Sequence, residues 1–353
     1  MSVYCATCHD WVKKGHKKQK GFEHHRAFGL GRRKSVKRAA HNVRELLPKV
    51  RGAVPDTYDL RVSGTGGGIG IGPIYDQEDE SSCVAFATVN VKVWKVGAET
   101  GQFPDLSQQF VYDYGRQMNN SCPQPGMNSD WGPDVLLSVG VCPTSDYPFT
   151  DSDNCGTPSA QALTDATPNK IVSLAEITTV DDLKDTMLIV GEVQIGIPVF
   201  EEIMNVGPDG IIPMPGQNEQ SIGGHEVAVV GWLPKNGTKS LVIKNSWMLA
   251  PGQPWGDNGC GYLPEAYLAM YLSGTGDGEA DSYAMWDQGQ PNAPPPPTPS
   301  PTPGPTPPNT DCWTTFVSDV TQAAQNNDLL GVLNSLTQLV SCLQGSSAKK
   351  RKR

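Results

Sequence analysis

Apolar residues recur at helical spacing in the first half of the sequence. Phe86, Val89 and Val93 stand three and four positions apart, which predicts a helix over 84–98. Shorter helices are predicted over 107–112 and 132–140, the second ending at a glycine. This half of the sequence is therefore predicted to be mainly helical.

Beyond about residue 167 the pattern changes to short β-branched runs bounded by glycine, proline or asparagine. Such runs are typical of strands, and we predict strands over 171–174, 193–199, 226–232 and 241–244. One capped helix is predicted over 180–187, between the first two strands. A helical half followed by a strand-rich half predicts an α+β fold of two lobes with a cleft between them.

Composition divides the chain further. A segment rich in proline and threonine, 291–310, is predicted to be an extended linker. Apolar residues at helical spacing then predict a small helical hairpin over 311–345, followed by a basic tail at 346–353. The hairpin is too small to bury its own apolar face, so it is expected to dock on a protein partner or on the rest of this chain.

The formal net charge of −9 is unevenly distributed. Residues 1–54 carry +11, residues 55–348 carry −25, and the last five residues carry +5. The basic ends are expected either to bind a polyanion such as nucleic acid or, for the N-terminal segment, to fold back on the acidic domain. The chain has neither an apolar run long enough to span a bilayer nor an apolar signal core near its start. An intracellular (cytoplasmic or nuclear) or virion-associated location is therefore expected rather than secretion.

Nine cysteines leave at least one unpaired, and Cys83 is the obvious candidate. Cys5 and Cys8 have the spacing of a zinc knuckle, but the usual second pair is absent. A flexible basic arm without metal is an equal alternative, and no metal is assigned. Cys312 and Cys342 lie near the open end of the predicted hairpin and could pair if oxidised. Candidates to complete a zinc site are His9, His16, His24 and His25.

Candidate chemistry begins at Cys83, the first residue of the predicted central helix. Unpaired backbone N–H groups and the helix dipole lower the pKa of a thiol at that position. Gln77, six residues earlier, could donate its amide to an oxyanion. Taken alone, the pattern is equally that of a buried structural cysteine.

Two later blocks complete a catalytic set. His225 heads one predicted strand, and Asn245-Ser246-Trp247 ends another. A nucleophile, a base and an orienting amide follow in that order. With these blocks the sequence resembles the papain-like (C1) cysteine peptidases. The phrase Gly140-Val141-Cys142-Pro143 is typical of the bacterial and viral branch rather than of animal cathepsins.

The resemblance covers residues 55–290 and implies a two-lobed papain-like peptidase domain of the α+β class. It implies a cysteine endopeptidase that acts on polypeptides through a thioester and needs no cofactor. Cys83 takes the position of the nucleophile, His225 that of the base and acid, and Asn245 that of the residue orienting the imidazole. Gln77 would form the oxyanion hole with the Cys83 N–H. The residues implied to bind substrate are Ser129, Asp130, Gly224 and Trp247.

The sequence also departs from the family pattern. The half-cystine before the nucleophile is missing, and Met127 stands where its partner would be. Cys122 and Cys155 stand near the positions of another family disulfide and could still pair. The acids at 78–80, beside the nucleophile, are expected to raise the pKa of the Cys83 thiol and to favour cationic substrates.

Two hypotheses stand beside that of an active peptidase. One is a catalytically silent binding or structural protein, tethered by its basic ends to nucleic acid or to a particle. The other treats 1–54 as a short propeptide that lies over the acidic domain and inhibits it. The long helical propeptide of the cathepsins is absent from this segment.

Overall fold

Within the residues that the structure describes, most of the helices come from the first half of the chain. The computed structural model describes residues 29–35, 42–43, 54–62, 65 and 68–287. The α-helices in this part of the chain are Cys83–Thr100 (α1), Gln108–Met118 (α2), Trp131–Ser138 (α3), Ala160–Ala166 (α4), Val180–Val190 (α5), Glu201–Met204 (α6) and Glu265–Tyr271 (α7).

Helix α1 is the centre of the fold. Fourteen of its 18 residues are buried, as expected of a helix that is apolar on nearly all sides. It packs against α2 and α3 on one side and against the sheet on the other. Two buried lysines of this helix are paired: Lys92 Nζ lies 2.7 Å from Asp287 Oδ2, and Lys95 donates to the Val190 carbonyl at 2.9 Å. Gly101 ends the helix in the left-handed conformation that glycine favours.

The strands of the second half form one antiparallel sheet, and these strands differ in length. Its order is β10-β7-β6-β5-β11-β4, and β2 also pairs with β6. Two short pairs, β1 with β3 and β8 with β9, lie outside it. The strands are Arg32–Arg33 (β1), Tyr58–Asp59 (β2), Met127–Asn128 (β3), Ser173–Glu176 (β4), Val193–Val199 (β5), Gly223–Lys235 (β6), Thr238–Lys244 (β7), Met248–Ala250 (β8), Gln253–Pro254 (β9), Cys260–Pro264 (β10) and Asp281–Trp286 (β11).

Two hydrophobic cores define two lobes. The core of the helical lobe contains Val84, Val111 and Leu136, from α1, α2 and α3. The core of the sheet lobe contains Ile195 and Val229, from the central strands of the sheet. The N-terminus of α1 and the start of β6 both lie where these lobes meet. The predicted α+β class with two lobes is therefore confirmed.

The predicted helices and strands are present with small shifts of their ends. The helix predicted over 107–112 extends to Met118, and the strand predicted over 226–232 is part of the longer β6. Strands β10 and β11 and helices α4 and α7 were not predicted. The predicted linker, hairpin and basic tail begin at 291 and lie outside the described residues. Within the described residues, no helix is long and apolar enough to cross a membrane.

Part of the basic N-terminal region packs on this domain. Residues 29–35, called the cleft segment below, run between the lobes, and strand β1 within them pairs in parallel with β3. Further along, Asn42 forms a bridge with Glu176, and Val43 is buried in the core of the sheet lobe. These contacts bring the basic region onto the acidic domain, next to the start of α1.

Candidate active site

Cys83 is the first residue of α1 and is fully buried. Burial raises the pKa of its thiol to about 12, and the charge of Glu226 adds to this effect. Backbone N–H groups of Gly31, Glu226 and Val84 partly oppose it. Burial therefore favours the neutral thiol over the thiolate in this conformation.

His225 is held by two neighbours. Its Nε2 lies 2.8 Å from Asn245 Oδ1, and its ring stacks on Trp247 with centroids 4.1 Å apart. The amide oxygen can only accept, so Nε2 carries a proton and Nδ1 keeps its lone pair. Nδ1 has no hydrogen-bond partner in the described part of the chain. Burial lowers the pKa of this imidazole to about 4, although the bond to Asn245 opposes the shift.

Ser246 joins the two halves of the site. Its backbone N–H donates to Asn245 Oδ1 at 2.8 Å, and its hydroxyl donates to Gln77 Oε1 at 2.8 Å. The backbone N–H of Gln77 returns a bond to the Ser246 carbonyl at 3.0 Å. With its oxygen held this way, the Gln77 amide turns its nitrogen toward the start of α1, where it donates to the Glu80 carbonyl at 2.9 Å. Nothing in the sequence around Ser246 predicts this role.

The cleft segment lies directly on these groups. Gln77 Nε2 donates to the Gly29 carbonyl at 2.8 Å, two residues before the amide that contacts the thiol. Met127 N–H donates to the Gly31 carbonyl at 2.9 Å, and Ser129 N–H donates to the Arg33 carbonyl at 3.1 Å. A peptide backbone is therefore already bound across the thiol and the glutamine amide.

The two glycines of the segment are required by its path. A Cβ added to Gly29 would lie 2.0 Å from the Glu80 carbonyl oxygen, and one added to Gly31 would lie 1.8 Å from that of Ser81. Real Cβ atoms do not approach other atoms this closely. The Gly-Leu-Gly order lets the chain pass against the start of α1, and this alternation is the signal in the sequence that could have suggested it.

Comparison with known proteins gives the family of this domain. The family model described as papain family cysteine protease matches residues 54–266, more than half of the chain. The chain belongs to the papain family of cysteine proteases. Residues 54–266 are therefore the papain-family part of the chain.

Relatives of the papain family from several lineages match the chain. An uncharacterized peptidase C1-like protein of Acanthamoeba polyphaga mimivirus is 32% identical over 175 residues, or 46% of this chain and 54% of that protein. The chain thus spans about half the length of this relative. Cysteine proteinase 3 of Dictyostelium discoideum is 25% identical over 266 residues, or 71% of this chain and 74% of that protein.

Solved structures support the same fold. Xylellain, a cysteine protease from Xylella fastidiosa, matches with a TM-score of 0.59 at 21% identity and covers 75% of this chain and 97% of its own. At that identity the likeness shows the papain-like fold alone. The viral relative agrees with the predicted kinship to the bacterial and viral branch.

The four residues that the papain-family resemblance assigned to substrate binding lie in different places. Ser129 and Gly224 touch the cleft segment: Arg32 Nε donates to Ser129 Oγ at 3.0 Å, and a Cβ on Gly224 would lie 2.5 Å from the Arg32 carbonyl oxygen. Trp247 is fully buried and covers His225 instead. Asp130 is a buried residue immediately before α3.

The acids at 78–80 are not among the groups that raise the pKa of the Cys83 thiol. Glu80 is buried and turned away, accepting from Gln109 Nε2 at 2.7 Å, and burial raises its pKa to about 8. Glu78 is exposed. The carboxylate with the largest effect on the pKa of the Cys83 thiol is instead Glu226, which follows His225 in the sequence. Proximity in sequence was a poor guide because the chain turns sharply before α1.

The remaining cysteines fall into three groups. Cys122 and Cys155 form a disulfide in this structure, as the resemblance implied. Cys142 and Cys260 are free and buried. Cys5, Cys8, Cys312 and Cys342, and the histidines proposed with the first two, lie outside the described residues. Within the described ranges, no group of three or more potential ligands could hold a metal ion.

Proposed function

We propose that this protein is a cysteine endopeptidase whose nucleophile is Cys83 and whose base is His225. The observation that carries the proposal is the bound backbone of the cleft segment. Its Gly29 carbonyl accepts from Gln77 Nε2 at 2.8 Å, while its Gly31 amide contacts the Cys83 thiol. A substrate carbonyl that accepts from Gln77 Nε2 would lie beside the sulfur of Cys83, which must attack it.

The reaction follows from these positions. His225 Nδ1 takes the thiol proton, and the sulfur of Cys83 attacks the carbonyl carbon of the substrate. The resulting oxyanion is stabilised by Gln77 Nε2–H and by the backbone N–H of Cys83, which is free at the start of the helix. When the C–N bond breaks, the protonated imidazole gives its proton to the leaving amine, and a thioester remains on Cys83.

The second half of the reaction uses the same residues. His225 removes a proton from water, which attacks the thioester carbonyl, and the C–S bond breaks to return the thiolate and a free carboxylic acid. Asn245 holds Nε2–H throughout, so the imidazole keeps Nδ1 available to the sulfur. Trp247 covers the bond between His225 and Asn245 and keeps water from competing for it.

We further propose that the described conformation is a latent one. The cleft segment covers the thiol, and burial leaves both Cys83 and His225 uncharged at neutral pH. This supports the hypothesis that 1–54 acts as a short propeptide. Once the segment leaves, water reaches both groups, and the thiolate–imidazolium pair becomes accessible.

The test is labelling of the thiol by an epoxide-type cysteine-peptidase inhibitor, together with peptide hydrolysis. The full chain should form one adduct, and Cys83→Ala should lose both the adduct and all hydrolysis while keeping its thermal unfolding temperature. His225→Ala should lose hydrolysis and label far more slowly. Hydrolysis by a folded Cys83→Ala protein would overturn the proposal.

The alternative of a silent protein tethered by its basic ends depends on residues 1–28 and 349–353, which lie outside the described residues. Binding of a polyanion or nucleic acid by these ends, and of a protein partner by the C-terminal hairpin, therefore stays a prediction. A salt-dependent affinity for DNA that is lost on deleting the basic ends would support it.

A further inference from the structure

Three neighbouring strands place two acids on either side of a glycine. Glu226 of β6 lies opposite Gly196 of β5, and Gly196 lies opposite Asp281 of β11. Directly opposed residues of an antiparallel sheet point to the same face. Strands are about 4.8 Å apart, so the two acids start roughly 10 Å from each other. We call these three residues the acidic row.

The glycine opens a slot between the two acids. A Cβ added to Gly196 would lie 2.4 Å from Glu226 Oε2 and 2.7 Å from Ser129 Oγ. Any side chain at this position would fill the space that separates the carboxylates. The slot therefore exists because the middle residue of the row has no side chain.

In this structure the slot holds the side chain of Arg32, from the cleft segment. Its guanidinium forms an ion pair with Asp281 and donates to Ser129 Oγ at 3.0 Å and to the Glu279 carbonyl at 2.7 Å. Arg32 Nε also lies 3.8 Å from Glu226 Oε2. A planar guanidinium with donors on several sides matches this arrangement, whereas the single ammonium of lysine cannot reach all of these acceptors at once.

The far wall of the slot is fixed by residues that do not belong to the segment. Ser129 Oγ–H donates to Glu226 Oε2 at 2.7 Å, and Gln194 Nε2 donates to Glu226 Oε1 at 2.7 Å. Gln194 is itself held, since Thr88 donates to its Oε1 at 2.8 Å. The Glu226 carboxylate therefore keeps its orientation when Arg32 leaves.

An empty slot would be unfavourable. Glu226 is fully buried, and burial raises its pKa to about 7 while the charge of Arg32 opposes that shift. A carboxylate pair that loses its cationic partner in such a place carries a large desolvation penalty. A substrate side chain that restores the pairing is thereby favoured over one that does not.

We propose that the acidic row is a specificity subsite that selects an arginine side chain of the polypeptide substrate. This inference rests on the proposed peptidase function, because the slot opens beside the thiol. Arg32 is one residue from the Gly31 amide that contacts Cys83, so the slot receives a side chain close to the reacting carbonyl. Methionine or leucine would fit the space but leave both carboxylates unpaired.

The experiment measures selectivity in the full chain. A peptide library scanned one position at a time should reveal a single position at which arginine is preferred. Two peptides that differ only there, arginine against methionine, should then differ in kcat/KM by about ten- to a hundredfold, as expected for hydrogen bonds to charged groups. The ratio is taken on the same sample, so it is independent of the fraction of active enzyme.

Variants identify the row as the cause. Asp281→Asn should lower the arginine-to-methionine ratio about tenfold. Gly196→Ala narrows the slot, so it should lower kcat/KM for the arginine peptide more than for the methionine peptide. The matched control is Glu99→Gln, which removes the same charge from the exposed far end of α1, about 25 Å from Cys83. It should leave the ratio unchanged.

The outcomes separate this inference from the proposed function. If neither the full chain nor its Gly31→Ala variant, in which a new Cβ would displace the cleft segment, hydrolyses any peptide or forms an adduct at Cys83, the peptidase proposal fails and the subsite falls with it. If peptides are hydrolysed without preference for arginine, or if Asp281→Asn keeps the ratio of the wild type, the subsite is refuted and the peptidase stands. Thermal unfolding of each variant shows that the fold is retained.

Discussion

Replacing Gly31 by alanine is expected to expel the cleft segment and to expose the nucleophile. The new Cβ would lie 1.8 Å from the Ser81 carbonyl oxygen and 2.4 Å from its carbon. Both are main-chain atoms at the start of α1, so they cannot rotate aside as the end of a side chain would. The segment must move by more than about 1 Å to restore an ordinary contact distance.

The cost of that movement can be estimated from the bonds it breaks. The Gly31 carbonyl loses its bond from Met127 N–H, now 2.9 Å long, and the Gly29 carbonyl loses its bond from Gln77, now 2.8 Å long. At about 1 kcal/mol for each bond, occupancy of the cleft weakens by about 2 kcal/mol. That corresponds to about a 30-fold shift toward the uncovered state.

The assay is the rate at which an epoxide-type inhibitor labels Cys83, read by intact mass. The full-length Gly31→Ala protein should label up to about 30-fold faster than the wild type. Gly207→Ala is the matched control, because its Cβ would have no neighbour closer than 3.8 Å. Equal labelling rates in Gly31→Ala and wild type, with both proteins folded, would refute the idea that the segment covers the thiol.

Three further predictions follow from the site and its surroundings. Ser246→Ala frees the Gln77 amide, so kcat should fall about tenfold or more with little change in KM, measured on any peptide that the wild type cleaves. In the full chain the raised pKa of Cys83, about 12, means that the thiolate fraction grows with pH across the neutral range. The labelling rate should therefore keep rising above pH 8 in the wild type, and should level off at lower pH in Gly31→Ala. Asp287→Ala removes the carboxylate that pairs with the buried ammonium of Lys92. It should lower the free energy of unfolding by about 3–5 kcal/mol, read from a denaturant titration.

Much of the fold could be predicted because the signals are local. Apolar residues at helical spacing predict helix α1, and β-branched runs between glycines and asparagines predict strands β5, β6 and β7. The Cys83, His225 and Asn245 blocks lie at the ends of these elements, where side chains of different segments can meet. Order along the chain and the type of residue were enough to name them.

What could not be predicted depends on pairing between distant segments. Strand β11 lies between β5 and β4, more than 80 residues away from either in sequence. Nothing near Asp281 indicates that it will stand in a row with Gly196 and Glu226. The preference for a cationic group was inferred from the acids at 78–80, but the acids around Arg32 come from two separate strands.

The N-terminal segment shows a second limit. Its charge predicted contact with the acidic domain, yet charge alone does not say which residues touch or where. Close packing against the start of α1 requires glycine at 29 and 31, and the slot of the acidic row fits the guanidinium of Arg32. Both selections are made by the shape of the folded domain, which composition does not reveal.

The two glycines of the cleft segment also separate binding in the cleft from cleavage. A peptide with ordinary side chains at both places cannot follow the path of residues 29–31, because its Cβ atoms would collide with the turn before α1. A chain that is cut must therefore lie farther from that turn than the segment does. The segment can lie against the proposed catalytic groups along a path that a peptide with side chains at these two positions cannot take. Occupying the cleft and being cleaved in it are therefore separate events.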